Sequence, residues 1–138
     1  MVSLIIGNKG SGKTKHLIEA VNAALAVSDG HVVCVEKGNK LTYDVNSKVR
    51  LASADEYAIT GYEAYYGFLA GMCSRDSDIT DLFCDGTLKI GGDDKEQLAD
   101  FIAKVSTLGD ATGVKFTFTV SADESELPAR IFDNAEKI

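Results

Sequence analysis

Short, mostly apolar runs alternate along this chain with longer stretches in which apolar positions recur every third or fourth residue. The short runs predict strands at 2–6, closed by Gly7, and at 31–36, 49–52, 79–85 and 114–120. The longer stretches predict helices. One starts at Lys13, with Leu17, Ile18, Val21, Ala24 and Leu25 on one face, and ends at Ser28, Asp29 and Gly30. A second spans 61–72, where Tyr62, Tyr65, Tyr66 and Leu69 share a stripe that core packing explains better than a ligand does. A third spans 95–108 with Leu98, Phe101, Ile102 and Val105 inward, and Asp93 followed by Glu96 reads as its capping box. A short final helix is expected at about 124–132. Strands that alternate with helices and are mostly continuous in apolar residues belong in a parallel sheet covered on both faces. The expectation is therefore an α/β fold, a three-layer α/β/α sandwich with about five mostly parallel strands, formed by residues 1–138 as one domain. Ligands of such sheets bind at the carboxyl ends of the strands, here around Gly7, Glu36, Asp85 and Ser121.

Charge narrows the partners. Fourteen Lys and Arg stand against 21 Asp and Glu, a net charge of −7. A long nucleic-acid track is not expected, since phosphate backbones recruit cations. Cys34, Cys73 and Cys84 form no CxxC pair and lie apart from His16 and His31 at ligand spacing, so reduced, buried thiols are expected rather than disulfides or zinc. The amino-terminal MVSLIIG lacks the layout of a secretion signal, and no run nears the roughly 20 apolar residues that cross a bilayer. A cytoplasmic protein with no membrane partner is the expectation.

One segment carries chemistry. Gly7-Asn8-Lys9-Gly10-Ser11-Gly12-Lys13-Thr14 fits G-x-x-x-x-G-K-[ST] at every fixed position, after a predicted strand and before a predicted helix. Glycines at these places let the chain wrap so that backbone N–H groups face phosphate oxygens, backed by the helix amino terminus. Lys13 would reach the β- and γ-phosphates, Thr14 would hold Mg²⁺, and Lys9 within the loop and Lys15 just after it add positive charge.

With this loop the chain resembles the P-loop NTPase superfamily. The resemblance implies ATP and Mg²⁺ as ligands and a strand-end Asp that helps to hold the metal. Leu82-Phe83-Cys84-Asp85 matches that pattern, although Asp85 before Gly86 also reads as a turn, and Asp81 competes from within the strand. Many such ATPases place a catalytic Glu directly after this Asp, where this chain has Gly86. RecA-like members instead place the water-orienting Glu at the end of the second strand, which corresponds to Glu36; a solvated charge beside Lys37 is the alternative. The guanine-reading N-K-x-D is absent, so adenine follows by elimination. Ser121 stands where some relatives carry a γ-phosphate sensor. Arg50, Arg75 and Arg130 are the candidate arginine fingers, and a protein partner or second copy could supply one. The function expected is ATP binding with weak or partner-dependent hydrolysis. The alternatives are a non-catalytic nucleotide-dependent interaction module and a small nucleoside or nucleotide kinase with its acceptor over Tyr57 to Tyr66.

Overall fold

Strands that are apolar on both sides need cover on both sides, and this chain supplies it from segments of different sequence separation. The computed structural model describes residues 1–138, apart from the side chains of Thr42 and Tyr43. In order they form β1 (Val2–Gly7), α1 (Lys13–Val27), β2 (His31–Glu36), a 3-10 turn (Lys40–Tyr43), β3 (Arg50–Ser53), a 3-10 turn (Asp55–Tyr57) and α2 (Tyr62–Arg75). There follow β4 (Ile79–Cys84), α3 (Thr87–Gly91), α4 (Lys95–Thr112), β5 (Lys115–Ser121), two 3-10 turns (Glu124–Glu126 and Ala129–Asp133) and β6 (Ala135–Lys137). The six strands form one parallel sheet in the order β3-β2-β4-β5-β1-β6.

Side-chain alternation along each strand divides the core in two. Val32 and Cys34 of β2, Ile5 of β1 and Phe83 of β4 pack with Leu17 and Val21 of α1. The alternate residues, among them Val33, Val35, Leu4, Leu82, Cys84, Phe116, Phe118 and Val120, pack with Tyr65 and Leu69 of α2 and with Leu98, Phe101 and Ile102 of α4. Helix α1 thus covers one face, and α2 with α4 the other. The tyrosine stripe belongs largely to the core. Tyr65 is fully buried and stacks on Phe101 at 4.8 Å between ring centroids, whereas Tyr57 is exposed.

Several details differ from expectation, among them α3 (Thr87–Gly91), a helix the pattern did not predict. The sheet has six strands rather than about five, because Ala135–Lys137 pairs with β1 beyond the last predicted element. Pro128 lacks an N–H and stands between the 3-10 turns Glu124–Glu126 and Ala129–Asp133, so no helix runs through 124–132. Asp94, not Asp93, caps α4, its carboxylate accepting from the N–H groups of Glu96 and Gln97. Helix α4 also runs past 108 to Thr112, where Gly113 takes a left-handed conformation and ends it.

All three cysteines are free and buried. Burial, and then the negative charges of Asp85 and Glu36, push the Cys34 thiol up to about 12, so it is a neutral core group. Among the described residues no helix is long and apolar enough to cross a membrane.

Candidate functional site

The same alternation decides which polar side chains reach the α1 face at the carboxyl end of the sheet. Phe116, Phe118 and Val120 of β5 belong to the α2/α4 core, which leaves Thr117, Thr119 and Ser121 for the opposite side. In β2, Glu36 follows Val32 and Cys34 to the α1 face. Asp85 follows Phe83, and its N–H donates to the Val35 carbonyl at 2.8 Å, which carries the ladder one residue past β4.

Between β1 and α1 the chain turns through Gly10 and Gly12, both at positive φ (86° and 85°), a conformation that strains residues with a Cβ. Gly12 offers α1 no capping side chain, and the first turn of α1 contains no acidic residue. The first N–H groups of a fifteen-residue helix, and the positive end of its dipole, are therefore available to an anion. The Ser11 N–H donates to the Asn8 carbonyl at 3.1 Å, and Lys13 Nζ donates to the same oxygen at 3.0 Å, which folds the lysine over the loop. Lys9, Gly10, Gly12, Lys13, Thr14 and Lys15 line a cleft of about 500 Å³, closed on its far wall by Asp85, Gly86, Lys89, Thr119 and Ser121.

Thr14 and Asp85, 71 residues apart, meet there: Thr14 Oγ1 donates to Asp85 Oδ2 at 3.4 Å. The other carboxylate oxygen is fixed from the neighbouring strand. Thr119 Oγ1 donates to Asp85 Oδ1 at 2.6 Å and accepts from the Gly86 N–H at 2.9 Å. Since the threonine proton is committed to it, Asp85 acts as an acceptor with one oxygen anchored and the other turned toward Thr14. Two oxygens in this arrangement suit a hard divalent cation such as Mg²⁺, which binds through few protein ligands and keeps several waters. Asp85 is at once the residue before a left-handed glycine turn (Gly86, φ 70°) and a member of the site, whereas Asp81 lines neither cleft.

Glu36 lines a second cleft, of about 460 Å³, which shares Thr14 and Asp85 with the first. It is only 6% exposed, and its carboxylate is occupied. Oε1 accepts from the Lys40 N–H at 2.8 Å, and Oε2 from the Leu41 N–H at 3.0 Å. The side chain thereby latches the 3-10 turn Lys40–Tyr43 onto the end of β2, a use different from a solvated charge beside Lys37. Lys37 itself pairs with Asp55 at 2.8 Å on the exposed rim. Glu36→Gln keeps one acceptor oxygen and loses the other, so it is expected to destabilise the ligand-free protein by about 1–2 kcal/mol in urea unfolding. An unchanged midpoint would show that the latch contributes nothing.

Several candidates lie elsewhere. Arg130 binds Glu96 and Asp100, and Arg50 binds Asp76 at 3.0 Å beside His31. Arg75 lines a separate apolar groove with Met72 and Leu51, so none of the three arginines borders either cleft. Tyr62 and Tyr66 border a groove between α2 and α4, and Tyr57 lines neither cleft. Among the described residues, the one cluster of potential metal ligands by proximity is His31, Asp76 and Asp78. It sits at the opposite, amino-terminal end of β2 and β4, and Arg50 already supplies its cation. Thr119 and Lys89 were missed by the reading of the sequence. Thr119 could have been found by counting strand alternation back from Ser121; Lys89 has no motif around it. No model of a known protein family matches this chain, and a search of curated proteins likewise finds no match.

Proposed function

We propose that the chain binds a nucleoside triphosphate, ATP by preference, together with Mg²⁺, and hydrolyses it slowly or only with a partner's help. The observation that carries this reading is the meeting of the Thr14 hydroxyl with the Asp85 carboxylate at the foot of a loop whose glycines and helix N–H groups face one cleft. In this reading Gly7, Asn8, Lys9, Gly10, Ser11 and Gly12 wrap the phosphates, and Lys15 adds charge at the rim. Lys13 leaves the Asn8 carbonyl for the β- and γ-phosphates. Thr14 and Asp85 would hold Mg²⁺, which when bound neutralises charge on the phosphate oxygens. Thr119 keeps Asp85 from rotating away. Glu36, which lines the second cleft, would orient water there, and its engagement with Lys40 and Leu41 is the reason to expect low intrinsic turnover.

The test is a thermal-shift panel of ATP, ADP, GTP and AMP, each with and without Mg²⁺, on the native chain and on Lys13→Ala. A nucleotide at about 100 times its dissociation constant adds roughly 2.7 kcal/mol to stability. The expected result is a shift for ATP and ADP in the native chain that Lys13→Ala loses. No shift with any nucleotide would overturn the reading. The latched carboxylate also favours a second reading, a nucleotide-dependent interaction module in which the bound state alters the turn at Lys40–Tyr43 and hence the affinity for a protein partner. Tight ATP binding without phosphate release, with or without added protein, would select it over the hydrolase.

A further inference from the structure

We propose that Lys89 is a catalytic cation supplied in cis, its ammonium group contacting the terminal phosphoryl group during transfer. The inference rests on the nucleoside-triphosphate reading and adds to it the source of the transition-state charge. Four residues are common to the two clefts: Thr14, Asp85, Gly86 and Lys89. The first two are the proposed metal-holding pair, so Lys89 stands at the junction where the phosphate cleft opens onto the cleft that a nucleophile would use.

The local backbone brings it there. Gly86 turns the chain from β4 into α3, and the Lys89 N–H donates to the Gly86 carbonyl at 2.9 Å. A Cβ built on Gly86 would stand 3.7 Å from Lys89 Cδ, so the lysine stem lies across the glycine. Lys37, which is paired with Asp55, and Lys40 line the second cleft alone, and Lys9, Lys13 and Lys15 the first alone, so among the described residues Lys89 is the one cation that lines both. Among the described residues Lys89 takes part in no salt bridge. In the step itself a water oxygen bonds to the γ-phosphorus as the bond to the β–γ bridging oxygen breaks. The electron pair leaves on the nucleoside diphosphate, and the water proton passes to solvent or phosphate. Lys89 remains protonated and gives only charge, a contribution that grows as negative charge spreads over the equatorial and leaving oxygens.

The experiment compares the native chain, Lys89→Ala and Lys89→Arg by calorimetric titration with Mg²⁺–ADP, alone and with aluminium fluoride as a mimic of the transferring group, and by turnover. ADP affinity is expected to stay within about threefold in all three, since Lys89 is exposed and acts on the terminal group. Lys89→Ala is expected to lose about 10²-fold in the affinity gained on adding fluoride and a similar factor in kcat, while Lys89→Arg keeps most of both. If Lys89→Ala keeps the fluoride gain, or if the native chain binds ADP but gains nothing from fluoride, the inference is overturned. Failure of the native chain to bind ADP at all would instead bring down the nucleotide reading, and the ADP arm reports that separately.

Discussion

Asp85→Ala is expected to reduce magnesium-dependent turnover by about 10³-fold and to erase the magnesium-dependent part of ATP affinity. Two losses combine in this variant. On the proposed reading Mg²⁺ would lose the carboxylate that faces Thr14 Oγ1, and with it several kcal/mol of charge stabilisation at the phosphates, about 1.4 kcal/mol for each factor of ten. The hydroxyl of Thr119 also loses its acceptor, although its bond from the Gly86 N–H survives. Affinity for ATP without Mg²⁺ should hold or rise slightly, since a negative charge beside the phosphates has been removed. That opposite movement separates loss of a metal ligand from general damage. Titrations with and without EDTA measure both, and an equal Mg²⁺ effect in variant and native chain would remove Asp85 from the metal site.

Phe118→Ala should be the costliest of the single changes considered for stability, at about 3–5 kcal/mol, which lowers Tm by on the order of 10 °C in a chain of this size. Phe118 is fully buried on β5, between β4 and β1, and meets Phe101 edge-on at 5.5 Å and Tyr65 edge-on at 6.3 Å. Neighbours on two helices and a twisted sheet cannot all collapse into the hole, so both the transfer free energy and the cavity are lost. Tyr57→Ala is the control, because Tyr57 is 62% exposed. Urea unfolding of both variants decides the matter; a loss below 1 kcal/mol for Phe118→Ala would mean that the aromatic cluster is not the centre of the core.

The strands were legible because the sheet is buried on both faces, where apolar residues run nearly continuously; His31–Glu36 lies where its pattern placed it. The glycine-rich loop was legible for a different reason: its backbone conformation needs glycine, and glycine leaves a mark in the sequence. What escaped depends on tertiary partners. Ala135–Lys137 has no strand pattern, since only Ala135 is buried and its extended form comes from pairing with β1. The engagement of Glu36 is local in sequence but non-periodic, an acidic side chain reaching N–H groups four and five residues ahead. Lys89 is a single lysine in a short apolar segment. Its place follows only once Gly86 has turned the chain and the stem has crossed it.

The carboxylate of Glu36 cannot serve two masters. While it holds the N–H groups of Lys40 and Leu41 it is a poor organiser of water, and once it turns to the water those two donors lose their acceptor. On the proposed reading the turn Lys40–Tyr43 therefore sits in series with the chemical step. Undoing it, at about 1–3 kcal/mol, would slow turnover by roughly 5- to 150-fold, and any molecule that satisfies the Lys40 and Leu41 donors in place of Glu36 would act as an accelerator without touching the nucleotide.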